Sequence, residues 1–169
     1  MIVGIDNGLD GAAVAIGPLG HVIGDFVMPT FKIHKTTKAG KKRTLREIDA
    51  LKLAVMLDNL ILDRDSANVI FEECPEHSKN KAAMRGMGIN AGKILGVLEA
   101  RRLTVHRITS FDWHPVVLGK FPKGESKTAA LAKVKEIWPI EAWKHGKKTF
   151  HAGLVDAALI AHFGRIQNL

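Results

Sequence analysis

The chain opens with an apolar run that ends abruptly in acid: Met1-Ile2-Val3-Gly4-Ile5 leads straight into Asp6. A nearly continuous apolar run of this length reads as a strand buried on both faces, because a strand with one solvated face would alternate. Residues 7–11 hold two glycines and polar turn formers and reverse the chain. Residues 12–16 return as a second strand, 17–20 turn again, and 21–28 give a third. Three strands joined by short turns form an antiparallel meander. A carboxylate at the exit of a buried strand costs several kcal/mol to desolvate unless a cation or donors compensate it. Asp6 is therefore either a turn residue bonding the amides of Asn7 and Gly8 or a ligand at the end of a sheet.

The remaining segments continue the sheet with helices between its strands. Residues 29–43 are polar and carry Lys32, Lys35, Lys38, Lys41 and Lys42, which suggests an exposed loop or irregular hairpin. From Thr44 or Leu45 a helix is expected, because Ile48, Leu51, Leu53, Met56, Leu57, Leu60 and Ile61 keep a stripe near the helical period. Residues 67–71 form a fourth strand that ends in Glu72-Glu73. After a polar loop at 75–81, residues 82–100 read as a long helix. Gly86, Gly88, Gly92 and Gly96 lower its propensity by about 1 kcal/mol each relative to Ala. Close packing against another helix, of this chain or of a second subunit, would account for them. Residues 103–108 make a fifth strand, Ser110 caps a short helix to 118, and helices follow at 125–137 and 153–166. A meander continued by strands with helices between them gives an α/β fold with a mixed five-stranded sheet covered on both faces. The 169 residues are expected to form a single domain.

Composition narrows the partner. The formal net charge is +8, and excess Lys and Arg favour polyanions by releasing condensed counterions. No apolar run approaches the roughly 18 residues that would suggest a membrane span. Cys74 stands alone and no secretory signal is spelled out, so an intracellular, reducing compartment is expected.

Two further acids stand where apolar residues surround them. Glu72 ends Ala67-Asn68-Val69-Ile70-Phe71 as Asp6 ends the first strand, and Glu73 should face the opposite side of the sheet. Glu72 is the favoured ligand and Glu73 its substitute, the other of the pair meeting solvent or Lys79 and Lys81. Asp156 interrupts Leu154-Val155-Ala157-Ala158-Leu159-Ile160, either as a site residue or on the solvated edge of the helix. Separate acids on a basic chain suit Mg²⁺, which takes few carboxylates and keeps several waters. Two such ions about 3.5–4 Å apart serve an in-line displacement at phosphorus.

At this point a family resemblance becomes specific. Ile2-Val3-Gly4-Ile5-Asp6-Asn7-Gly8 resembles the first strand of RuvC-type Holliday-junction resolvases, which typically reads G-I-D-P-G. Val69-Ile70-Phe71-Glu72-Glu73 looks like the family's strand with its catalytic glutamate, and Asp156-Ala157-Ala158-Leu159-Ile160-Ala161 like the C-terminal helix with its last acid. Met87-Gly88-Ile89-Asn90-Ala91-Gly92 and Ser110-Phe111-Asp112-Trp113 fall where phage and organellar relatives have comparable segments. The resemblance implies a ribonuclease H-like fold, a homodimer, two Mg²⁺ (or Mn²⁺) ions and paired incisions in four-way DNA. It also implies catalytic roles for Asp6, Glu72 and Asp156. RuvC relatives usually offer one more ligand three or four residues before the final acid. Here those positions hold Gly153 and Ala152, and His151 is the nearest substitute. On a regular helix His151 would sit about 140° from Asp156, so it can join the site only from a cap or the preceding loop.

Phosphate contacts are expected from three basic groups: Lys32, Lys35, Lys38, Lys41, Lys42 and Arg43; Lys79, Lys81 and Arg85; and Lys120, Lys123 and Lys127. A solvated charge run is the default alternative for each, and the second group is favoured because it follows the Glu72 strand. Phe31 and His77 are candidates for stacking on exposed bases. A sugar-kinase-like ATPase begins with a similar strand but needs two such domains, too many for this length. Two other readings stay open: a ribonuclease acting on RNA–DNA hybrids or another branched-DNA nuclease, and a junction-binding protein with a depleted site.

Overall fold

The computed structural model describes residues 1–36, 40–74, 81–146 and 150–169, and of residues 81 and 82 the backbone alone. Its main sheet begins as the turns dictate. Strand β1 (Ile2–Asp6) pairs antiparallel with β2 (Ala12–Ile16), in a register that sets Asp6 opposite Ala12. β2 pairs antiparallel with β3 (Val22–Val27).

The segment after β3 departs from expectation. Thr30–Thr36 (β4) and Lys42–Ile48 (β5) form a separate antiparallel ribbon, with Thr30 opposite Ile48 and Thr36 opposite Lys42. The helix expected from Thr44 or Leu45 instead starts at Ala50. There Asp49 caps α1 (Ala50–Leu60) by accepting the Lys52 amide at 3.0 Å. Leu45 and Ile48 lie at helical spacing from Leu51, but Leu45 is exposed on the ribbon and Leu51 on the helix. A ribbon that packs little of itself on the core needs no alternating pattern, so its sequence carries no strand signal.

The other strands complete the sheet. β6 (Asn68–Glu72) pairs parallel with β1, and β7 (Thr104–Ile108) pairs parallel with β6, giving the order β3-β2-β1-β6-β7. This is the mixed α/β sheet that the strand order implied. Between β6 and β7 runs α2 (Lys81–Ala100), and after β7 come α3 (Ser110–Val117), α4 (Ser126–Ile137) and α5 (Ala152–Ile166). Thr109, rather than Ser110, caps α3. Asp112 reaches back to accept both its backbone N–H and its hydroxyl, at 2.6 and 2.8 Å.

Two hydrophobic cores lie on opposite faces of the sheet. Val3, Ile5, Val69 and Phe71 pack with Leu53 and Leu57 of α1 and Ile94 and Leu98 of α2. Ala12, Val14 and Ile70 pack with Trp113, Val134 and most of α5. The four α2 glycines have no atom of this chain within 4 Å of where a Cβ would stand, among the described residues. Intrachain close packing therefore does not explain them. No helix of the described residues is long and apolar enough to cross a membrane.

Candidate active site

Strand alternation aims the acids at one face. Val3 and Ile5 turn into the α1–α2 core, so Ile2, Gly4 and Asp6 turn toward α5. In β6 the same parity sends Val69 and Phe71 one way and Ile70 and Glu72 the other. β1 and β6 are parallel neighbours, and Asp6 and Glu72 stand at their carboxyl-terminal ends. α5 lies across this face and brings Asp156 to the same end. Asp6 and Asp156 line a cleft of about 720 Å³. Glu72 is not among its walls, yet its charge acts on Asp156 and the Asp6 charge acts on Glu72.

Each acid is held above its ordinary ionisation range. Burial raises Asp6, against the pull of the Gly8 amide, which donates to Oδ1 at 3.1 Å; the Asp10 charge adds to the rise. Burial also pushes Glu72 to about 7, opposed by the Trp113 indole and assisted by Asp6. Asp156 reaches about 7 through burial and the charges of Asp6 and Glu72, with Lys127 pulling the other way. Among the described residues no salt bridge reaches any of the three. Partly buried carboxylates that repel one another and are not neutralised by a salt bridge are what a hard divalent cation relieves. No group of three ligating side chains is gathered ready to enclose a metal among the described residues. Mg²⁺ does not need one, since it binds through one or two carboxylates and keeps water in the rest of its shell. The donor set fits such an ion.

The other expected residues divide. Glu73 is ion-paired with Arg107 of β7 and stays partly exposed to solvent, while Lys79 and the side chain of Lys81, its other expected partners, lie outside the described residues. His151 stands at the N-cap of α5 with extended backbone, outside regular helix geometry as a site role requires. Its buried ring meets His145 edge-on at 5.7 Å between centroids, and the ring is not a wall of the cleft. Ala152 and Gly153 do line the cleft. Gly153 packs so tightly on the Asp10–Gly11 turn that a Cβ there would overlap the Asp10 carbonyl oxygen.

Of the basic residues, Lys35, Arg85 and Lys127 line the cleft. Lys32, Lys41, Lys42 and Arg43 are exposed on the β4–β5 ribbon, and Lys123 is exposed between α3 and α4. Lys38, Lys79 and His77 lie outside the described residues, as does the side chain of Lys81. Phe31 is half exposed, with the Lys93 ammonium 5.1 Å from its ring centre.

Three features escaped the sequence reading. The Trp113 indole donates to Glu72 Oε1 at 3.0 Å. The Asn7 side-chain amide donates to the Glu72 carbonyl oxygen, joining the β1 exit to the β6 exit. Arg46 ties the ribbon to the turn after β1, donating to Asp10 Oδ1 at 2.9 Å, the Leu9 carbonyl at 2.7 Å and Thr30 Oγ1 at 3.2 Å. Arg46 falls in the segment expected to be helical, so nothing in the sequence marks it as a partner of the Leu9–Asp10 turn.

No family model matches this sequence, and neither does any curated protein. Solved structures do. A structure of T. thermophilus RuvC in complex with Holliday junction substrate superposes with a TM-score of 0.63 at 17% identity, covering 99% of this chain and 93% of that one. Another Thermus thermophilus RuvC structure gives a TM-score of 0.57 at 13% identity, covering 99% and 96%. The chain therefore has the RuvC fold over almost its whole length.

Proposed function

We propose that this protein is a metal-dependent DNA endonuclease that resolves four-way junctions by paired strand incision. The observation that carries the reading is the convergence of Asp6, Glu72 and Asp156, none of them in a salt bridge among the described residues, at one end of the sheet at a cleft walled by Lys35, Arg85 and Lys127. The RuvC likeness supplies the substrate class, since one of those neighbours is held with a Holliday junction.

Asp6, Glu72 and Asp156 would hold two Mg²⁺ ions, with Mn²⁺ as a substitute. The ions when bound would activate water and stabilise the leaving oxygen of an in-line displacement. Asp6 sits between two elements of the set, at the end of β1 beside β6, which carries Glu72, and beneath α5, which carries Asp156. Arg85 and Lys127 would hold the phosphates on either side of the scissile bond, and the ribbon with Lys32, Lys35, Lys41, Lys42 and Arg43 would carry an arm of the junction. Symmetric incision needs two sites, which a two-fold dimer supplies. The glycine-bearing face of α2, open within this chain, is the proposed dimer contact.

Cleavage of a four-way junction, a flap, plain duplex and an RNA–DNA hybrid in Mg²⁺ or Mn²⁺ tests the reading. Paired symmetric nicks in the junction are expected, and preference for the hybrid would replace the reading with a ribonuclease. Asp6→Asn should keep junction affinity and lose cleavage by about 10²-fold or more. Light scattering should give a dimer that Gly92→Leu weakens. The tight seat of Gly153 favours one rival, a protein that binds junctions without cutting them. Binding without nicks by the unaltered chain would establish it.

A further inference from the structure

Trp113 is buried, 1% exposed, and lies 41 positions from the acid it touches. Its place is set by a short chain of constraints. Glu72 is opposite Ile108 in the β6–β7 register, and the Glu73 amide donates to the Ile108 carbonyl at 2.7 Å. Thr109 follows at once and, bonded to Asp112, starts α3 at a defined point. The first turn of α3 then delivers the indole to Glu72 Oε1. The bond is not simply what any buried indole here must find, because the Trp143 N–H is buried with no partner among the described residues.

We propose that Trp113 is a positioning residue that presets Glu72 for a divalent cation, an inference that rests on the function proposed above. Its chemical character suits that task. A carboxylate with free χ angles must be ordered when it binds a metal, and a fixed donor on one oxygen removes that requirement beforehand. Lys or Arg at this point would order Glu72 equally well, but would neutralise it and compete with the ion. An indole N–H orients without charge. Asp6 shows the same arrangement, held by the neutral Gly8 amide.

The test is Mn²⁺ binding to the full chain, followed by electron paramagnetic resonance of the free ion. Trp113→Phe keeps a ring in the core and removes the donor. It should weaken Mn²⁺ binding by about 10- to 100-fold, the range for losing a group that orients a metal ligand. In a Glu72→Ala background the same change should have no effect. Benzothienylalanine at position 113, with sulfur in place of the N–H, fills the indole's volume and should reproduce the loss if Trp113→Phe folds poorly. Unchanged Mn²⁺ affinity in either variant would reduce Trp113 to a core filler. An unaltered chain that binds no Mn²⁺ would overturn this inference together with the proposed function, whereas tight binding by both wild type and variant overturns this inference alone.

Discussion

Gly4 of β1 lies so close beneath Ala157 of α5 that a Cβ on the glycine would fall inside the Ala157 carbonyl oxygen, with the Ala161 amide crowding it from the other side. Helix and strand are in backbone contact here. Two residues further along the same face of β1 is Asp6, and one residue before Ala157 is Asp156. The close approach is what brings two acids, 150 residues apart in sequence, within range of each other's charge. Gly4→Ala must push α5 off the sheet. The expected loss is about 1–3 kcal/mol or more, read from urea unfolding midpoints, with a weaker response of stability to added Mg²⁺. A neutral outcome would mean that α5 can shift without disturbing the site.

The raised acids predict an unusual pH profile. Unfolded, Glu72 and Asp156 lose their protons near the ordinary carboxylate values of 4.5 and 3.8; folded, near 7. Between those limits the unfolded chain sheds protons first, so these groups subtract stability as pH rises from about 4 to about 7 and nothing further above that. Asp58 and Glu47, lowered mainly by their bonds to Arg101 and Lys93, act with the opposite sign. A difference measurement isolates the site. Metal-free Asp156→Asn should match the parent near pH 4 and exceed it at pH 8 by on the order of 2 kcal/mol, roughly 5 °C in Tm. Mg²⁺ should close the gap. A difference that is constant from pH 4 to 8 would mean that neither burial nor the neighbouring acids raise Asp156.

Phosphate contacts can be counted by salt. If Arg85 and Lys127 each neutralise one phosphate, replacing either by Ala should lower the slope of log affinity against log salt by about 0.9. The weakening should be similar for a junction and for plain duplex, because such contacts position the backbone without reading bases. Fluorescence anisotropy from 50 to 300 mM KCl is the measurement. An unchanged slope would leave the cleft wall out of the DNA path.

The parts legible in sequence were those whose physics is local. Gly and Asn turns bounded β1, β2 and β3, and the apolar runs ending at Asp6 and Glu72 declared buried strands with acid exits. The β4–β5 ribbon is the hairpin that residues 29–43 allow, but its second strand runs on to Ile48 where a helix is expected, because its side chains are mostly exposed and exposure erases the alternation by which strands are recognised. Asp49, a capping residue that places the start of α1 correctly, is outweighed by an apolar stripe that already begins at Ile48. Trp113 and Arg46 were out of reach for a different reason. Each acts on a residue 41 or 36 positions away, and only the folded register brings the pairs together. Glu73 was separated from Glu72 by strand parity alone, but parity could not name Arg107 as its partner.

The departure at positions 152 and 153 becomes a prediction once packing is considered. A fourth carboxylate could be sought at either residue, but the two are not equivalent. Gly153 is pressed against Asp10 and Gly11, so Gly153→Asp must displace the turn that holds Asp6. Ala152 already carries a Cβ, lines the cleft, and stands four residues before Asp156 on the same side of α5. It is also the first helical residue, where an added carboxylate meets the positive end of the helix dipole. Ala152→Asp should therefore tighten Mn²⁺ binding several-fold while lowering metal-free stability at pH 8, since it adds a negative charge beside acids that already repel one another. Gly153→Asp should lose stability with or without metal and gain no affinity. Parallel Mn²⁺ titrations and thermal melts distinguish the two, and a gain in affinity at 153 with none at 152 would show that α5 sits differently over Asp6 than described.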